Sequence, residues 1–197
     1  MHVNNATFQA DLASLVTARY TFTILRCPYA RLASVYLDKI VSRDREAWHL
    51  LDLLDRTLDI EDLTFHKFIS VLTDEEVREG NIHWRPQVDF LVYKQYDDYF
   101  CLEDFPTAIA TLKEKINFTV VDARPLTKHG ISGLDLVDHE NFAHRSPTDI
   151  RNLKAAGQCP APRAPYTDEL IEIVNRHYQE DIQLYTDIFS AANLMFS

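Results

Sequence analysis

Hydrophobic spacing changes from strand-like to helical early in the chain. Residues 20–25 form a short run of apolar, β-branched and aromatic side chains, which is typical of a strand, and Pro28 then stops the strand from continuing. Apolar residues next recur at helical spacing, at Leu32, Val35, Tyr36 and Ile40. The pattern predicts a strand that leads through a tight turn into a helix. Turns of this kind bind anions in α/β proteins, because free backbone N–H groups and the helix dipole converge there.

The rest of the chain continues to mix helix and strand patterns. Helices are predicted at residues 42–61, 63–72, 104–115 and 167–189, and strands at residues 96–103 and 117–121. Residues 122–165 are rich in proline and glycine, so we expect an irregular loop region there. The mixture predicts one α/β domain over residues 1–197, a three-layer sandwich around a short parallel sheet.

The charge balance limits the partners that the chain can have. Its 20 Lys and Arg against 30 Asp and Glu give a net charge of −10, which argues against an extended nucleic-acid or anionic-membrane surface. Any phosphate site must therefore be a local basic pocket. No apolar run approaches the roughly 18 residues of a membrane helix, so we expect no membrane segment and a cytoplasmic protein. The cysteines at 27, 101 and 159 form neither a disulfide framework nor a zinc pattern.

The predicted strand-to-helix turn carries the pattern R-x-P-x-x-R-L-x-S-x-Y, formed by Arg26, Pro28, Arg31, Leu32, Ser34 and Tyr36. Arginine offers a planar fork of donors and serine a hydroxyl, and both suit a phosphate. The pattern closely resembles the 3′-phosphate-binding segment of sulfotransferases that use 3′-phosphoadenosine 5′-phosphosulfate. The resemblance implies that Arg26 and Ser34 hold the 3′-phosphate of this donor and that Arg31 is structural. The alternative is an ordinary turn with a surface arginine and a helical serine.

The sequence HWRPQ at residues 83–87 resembles a segment of the carbohydrate branch of the same family, whose members modify glycan hydroxyls. Trp84 is suited to stack on a sugar face or on adenine, and His83, Arg85 and Gln87 are donors suited to hydroxyls or sulfate. The resemblance therefore assigns His83, Trp84 and Arg85 to substrate binding. The alternative is a loop stabilised by a buried tryptophan.

Two more segments extend the resemblance. A strand that ends in an acidic residue before a helix is a recurring feature of the family, and here we expect that residue, Glu103, to cap or pair within the fold. Near the C-terminus, Tyr178, Asp181 and Tyr185 resemble the last helix of many carbohydrate sulfotransferases, and we give them a structural role.

The resemblance implies two further site residues. A histidine about as far ahead of the arginine as His2 often acts in the family as the general base on the acceptor hydroxyl, and imidazole takes up a proton near neutral pH. A late basic loop closes over the donor nucleotide, and Arg145, with its neighbours His144 and Ser146, is the candidate here. The histidines between 129 and 144 match no firm ligand pattern, so we expect no metal site.

Taken together, the resemblance implies a P-loop NTPase-like sulfotransferase fold and transfer of a sulfuryl group from 3′-phosphoadenosine 5′-phosphosulfate to a carbohydrate hydroxyl. Family members carry, ahead of the arginine, a strand and a loop with lysine, glycine and serine or threonine that cradles the 5′-phosphosulfate. No such loop stands before Arg26 here, and the chain has only four glycines. Three explanations stay open: the chain is N-terminally incomplete, its first strand is supplied elsewhere, or catalysis is lost.

The runner-up function is a non-catalytic remnant that binds nucleotide or glycan. A Golgi location would follow from a missing N-terminal anchor. The lack of a G-x-x-x-x-G-K-[ST] pattern disfavours a kinase-like protein.

Overall fold

The computed structural model describes residues 17–121 and 133–196. Its strands are β1 (Phe22–Leu25), β2 (Asp98–Cys101), β3 (Asp135–Val137) and β4 (Gln158–Pro160). Its helices are α1 (Pro28–Val35), α2 (Arg45–Leu53), α3 (Phe65–Val71), α4 (Glu75–Glu79), α5 (Phe105–Ile116), α6 (Pro147–Ala155), α7 (Asp168–His177) and α8 (Gln179–Phe189). A π-helical turn, Tyr36–Ile40, continues α1, and 3-10 turns lie at Ile60–Asp62, Gln87–Phe90, Leu102–Asp104 and Ala191–Asn193.

Short polar side chains set where many of these helices begin. A side-chain oxygen of the preceding residue accepts a backbone N–H in the first turn of α2, α3, α4, α6 and α7; the capping residues are Asp44, Thr64, Asp74, Ser146 and Thr167. α1 begins differently, because Pro28 stands at its first position, where the missing N–H costs nothing.

The described strands form two parallel pairs. β1 pairs with β2, with Phe22 opposite Asp98 and Leu25 opposite Cys101. β3 pairs with β4, with Asp135 opposite Gln158. The α/β class with a short parallel sheet is confirmed. Because parallel strands place their carboxyl ends at one edge, the segments that follow β1 and β2 meet there.

The structure corrects four predicted boundaries. The helix predicted at residues 42–61 spans only Arg45–Leu53. The expectation of an irregular region over 122–165 is wrong for its second part, since β3, α6 and β4 form a strand–helix–strand unit there. Residues 117–121 are not a strand. The helix predicted at 167–189 is two helices, because the backbone leaves helical geometry at Tyr178 (φ −120°, ψ 27°).

A cluster of aromatic side chains packs next to the β1–α1 unit. The Tyr36 ring lies 5.3 Å from that of Phe65, and Phe65 lies 4.9 Å from Tyr166, both edge to face. Phe68 meets Trp84 edge to face at 6.0 Å. All five side chains are buried, and edge-to-face aromatic pairs add to the stabilisation from their buried area. The cluster therefore joins α1, α3 and the HWRPQ segment in one core.

One buried group in this cluster lacks a partner. The Tyr36 hydroxyl makes no hydrogen bond with any residue in the described ranges. Because a buried polar group without a partner costs free energy, Tyr36→Phe is expected to raise the free energy of unfolding by about 1 kcal/mol. Urea unfolding followed by fluorescence measures this. The matched control is Tyr178→Phe. The Tyr178 hydroxyl donates to the Trp84 carbonyl at 2.7 Å, so removing it should destabilise the protein. A similar loss in both variants would contradict the prediction.

Candidate functional site

Arg26 stands at the carboxyl edge of the β1–β2 pair. It directly follows β1 and precedes Cys27, the residue that caps α1. Its Nε lies 3.6 Å from Oε1 of Glu103, which follows β2, and the two side chains are 32% and 38% exposed. Its terminal guanidinium nitrogens donate no hydrogen bond to a described residue. The guanidinium of Arg26 therefore lies at the edge of the strand pair where α/β sheets bind anions.

Glu103 ties the two strand ends together. Its carboxylate accepts the Cys27 backbone N–H at 3.3 and 3.4 Å and the Cys101 thiol at 3.0 Å. The Tyr185 hydroxyl of α8 donates to it at 3.4 Å. Burial raises the pKa of the Cys101 thiol, so this thiol stays a donor at neutral pH. The expectation that Glu103 pairs within the fold is confirmed.

Gln87 holds the backbone of Arg26 from another side. Its Oε1 accepts the Arg26 N–H at 2.9 Å, and its Nε2 donates to the Arg26 carbonyl at 2.9 Å. The backbone N–H groups of Gln87 and Val88 donate in turn to the Asp181 carboxylate at 2.8 and 3.0 Å. Asp181 is 1% exposed. Burial raises its pKa, while these N–H groups and Arg31 lower it in part.

Arg31 has the structural role that the sequence predicted. Its Nη2 donates to the Arg85 carbonyl at 2.6 Å and, at 3.4 Å, to that of Ile82. Burial lowers its pKa, and Asp181 and Tyr178 oppose this shift.

An open cavity of about 290 Å³ lies beside β1, and Arg31, Gln87, Ile82 and Phe90 are among its lining residues.

Ser34 lies on α1, six residues after Pro28, and is half-buried. At a rise of about 1.5 Å per residue, it stands about 9 Å along the helix axis from Pro28. Its hydroxyl makes no hydrogen bond with any part of the chain that the structure describes. Arg26 and Ser34 thus belong to one strand–helix unit. The terminal nitrogens of Arg26 and the hydroxyl of Ser34 donate to no described residue.

The structure corrects the role assigned to Trp84. Its side chain is wholly buried, and its indole N–H donates to the Val77 carbonyl at 2.8 Å. It offers no face to a sugar or to adenine, so the prediction that Trp84 stacks on a ligand is wrong. The alternative, a loop stabilised by a buried tryptophan, describes it correctly.

The neighbours of Trp84 contact residues of α2 and α4. The Arg85 guanidinium donates from Nε to the Glu79 carbonyl at 2.8 Å. His83 is one third exposed and lies 3.7 Å from Glu46. Burial lowers its pKa, with Lys39 acting in the same direction and Glu46 against it, so the imidazole is neutral at neutral pH. Substrate contacts by His83 and Arg85 stay predictions.

The remaining site residues are not joined to Arg26 by any described contact. Arg145 is exposed, pairs with Glu140 at 2.9 Å, and stands just before α6. His2 lies outside the described residues. In residues 17–121 and 133–196, no cluster of three or more His, Cys, Asp or Glu side chains is arranged to hold a metal ion.

Comparison with known protein families decides the identity. A model of the sulfotransferase family matches residues 2–186. The chain belongs to the sulfotransferase family. A search of curated proteins and a search of solved structures each gave no match.

Membership defines the reaction class as sulfuryl transfer from a sulfate donor, and it confirms the resemblance at the level of the family. Among the described residues of this sulfotransferase, no helix is long and apolar enough to cross a membrane.

Proposed function

We propose that this sulfotransferase binds 3′-phosphoadenosine 5′-phosphosulfate, with Arg26 and Ser34 on its 3′-phosphate, and transfers the sulfuryl group to a carbohydrate hydroxyl. The observation that carries the proposal is the position of Arg26. Its guanidinium stands at the carboxyl edge of a parallel strand pair, directly before α1, with terminal nitrogens that make no hydrogen bond to described residues. Guanidinium forks bind phosphate through paired, charge-assisted hydrogen bonds.

The local charge at Arg26 supports binding of a 3′-phosphate. The overall charge of the chain is −10, so an anion needs a local cation, and Arg26 supplies one. Glu103 balances part of this charge at 3.6 Å, a distance at which the pair is not tightly closed. The Cys27 backbone N–H donates to the Glu103 carboxylate, and this hydrogen bond does not involve the terminal nitrogens of Arg26. A phosphate bound to those nitrogens would therefore leave it intact.

The proposal gives the other residues roles that follow the family resemblance. Arg145 would contact the donor nucleotide, and His83 and Arg85 the glycan acceptor. His2 would act as the general base on the acceptor hydroxyl. The pKa of His83, lowered by burial, leaves a neutral imidazole in the same segment as Arg85.

The test is calorimetric titration of the chain with adenosine 3′,5′-bisphosphate and, separately, with adenosine 5′-phosphate. The two ligands differ only in the 3′-phosphate, and two charge-assisted bonds to it predict about 100-fold tighter binding of the bisphosphate. Equal affinities would refute the donor site. Transfer of labelled sulfate from the donor to desulfated glycans, with simple phenols as the comparison acceptors, then tests the carbohydrate substrate.

A second candidate is a family member that binds nucleotide or glycan without transferase activity. The same pair of experiments separates the two. A preference for the bisphosphate together with no transfer to any acceptor would support the binding protein.

A further inference from the structure

The backbone of the turn that carries Arg26 is held by side chains from distant parts of the chain. The β1–β2 pairing ends at Leu25, and the first bond of α1 is that of Arg31 N–H to the Cys27 carbonyl. Three backbone groups lie between these two ladders: the N–H and carbonyl of Arg26 and the N–H of Cys27. Gln87 binds the first two and Glu103 the third.

Gln87 binds Arg26 in the way that a neighbouring strand would. One amide group engages both the N–H and the carbonyl of one residue, each at 2.9 Å, across a sequence separation of 61. Two hydrogen bonds to one peptide segment fix its rotation as well as its position. The direction of the Arg26 side chain follows from that rotation, because the Cα–Cβ bond is set by the backbone.

Gln87 is itself fixed by a buried anchor. Its N–H and that of Val88 donate to the two oxygens of Asp181 on α8. Hydrogen bonds therefore connect Asp181 to Gln87 and Gln87 to the Arg26 backbone. This network restricts the movement of the backbone from which the Arg26 side chain extends.

We propose that Gln87 is a positioning residue for Arg26, and that its side-chain amide presents the guanidinium to the 3′-phosphate of the donor. The inference rests on the proposed function, since it assigns Gln87 to the same phosphate site. It also gives the HWRPQ segment a role on the donor side of the reaction, in addition to any contact with the acceptor.

The test measures the 3′-phosphate preference, defined as the ratio of the dissociation constants for adenosine 5′-phosphate and adenosine 3′,5′-bisphosphate. Gln87→Met keeps the length and neutrality of the side chain but removes both bonds to Arg26. It is expected to lower the preference by about tenfold and to leave the affinity for adenosine 5′-phosphate unchanged. Gln87→Asn keeps the amide but withdraws it by one methylene, and it should lower the preference as well.

Tyr178→Phe is the matched control. It removes a buried bond that also joins the C-terminal helices to the HWRPQ segment, from the Tyr178 hydroxyl to the Trp84 carbonyl, without touching Gln87 or Arg26. Its thermal stability should fall while its 3′-phosphate preference stays at the wild-type value. The positioning role is overturned if Gln87→Met keeps the full preference, or if Tyr178→Phe loses as much.

Two further outcomes are decisive. Should Gln87→Met not fold, an unchanged preference in Gln87→Asn overturns the inference. A wild-type chain without any 3′-phosphate preference overturns the proposed function itself, and the inference with it.

Discussion

The Asp181→Ala variant is expected to lose about 3 to 5 kcal/mol of the free energy of unfolding, because it removes a buried carboxylate whose partners stay buried. Two backbone N–H groups, of Gln87 and Val88, would be left without an acceptor. The largely buried Arg31 would lose an opposite charge that offsets its desolvation. A loss of this size approaches half the stability of a typical domain, so the variant should unfold at a much lower urea concentration.

The measurement is urea unfolding followed by circular dichroism, with Asp187→Ala as the control. Asp187 lies on the same helix, is exposed, and accepts a hydrogen bond only from Gln183 among the described residues, so its removal should change stability by no more than about 0.5 kcal/mol. Asp181→Asn keeps one oxygen for the two N–H groups and should fall between the two variants. Equal stability of the Asp181→Ala and Asp187→Ala variants would show that the buried carboxylate does not hold the HWRPQ segment.

The β1–α1 unit could be predicted from the sequence because its signals are local. The strand-like run ends at Leu25, the helix begins at Pro28, and Arg26 falls between the two. A strand–turn–helix needs only neighbouring residues to define it, so the position of Arg26 at a strand end follows from a dozen consecutive residues.

Trp84 shows what such local reasoning misses. Whether a tryptophan is buried depends on what packs on it, and its partners are Phe68, Val77 and Tyr178, which approach from three other segments. The HWRPQ motif is visible in the sequence, but the burial of its tryptophan is not. The contact of Gln87 with Arg26 could not be predicted for the same reason, since the two residues lie 61 positions apart in the sequence.

The strand–helix–strand unit between Asp135 and Pro160 was missed for a different reason. Strands of three residues, such as β3 and β4, are too short to show alternation. Pro147 looks like a helix breaker but begins α6, with Ser146 as its cap. Proline and glycine content alone therefore predicted a loop where the structure has regular elements.

Arg26→Ala is expected to lower the affinity for adenosine 3′,5′-bisphosphate about 100-fold and to leave that for adenosine 5′-phosphate nearly unchanged. The variant loses the guanidinium but keeps the turn, because Gln87 binds backbone atoms of Arg26 that an alanine also has. Glu103 would then face the phosphate without a cation between them, which adds like-charge repulsion to the lost bonds. Arg26→Lys keeps the charge but not the planar fork, so it should lose about tenfold.

Arg56→Ala controls for the removal of one positive charge, since Arg56 is largely exposed and its only ion pair among the described residues is with Asp52, four residues earlier. Its ligand affinities should match the wild type within a factor of about two, because exposed charges beyond about 10 Å are screened in ordinary buffer. The thermal midpoint of Arg26→Ala, measured on the same samples, should stay close to that of the wild type, since the backbone bonds of the turn persist.

Bisphosphate affinity that survives in Arg26→Ala, in a folded protein with an unchanged thermal midpoint, would place the 3′-phosphate elsewhere. Loss of affinity for both nucleotides would instead mean that Arg26 acts on the whole nucleotide, and the assignment of the guanidinium to the 3′-phosphate would be wrong.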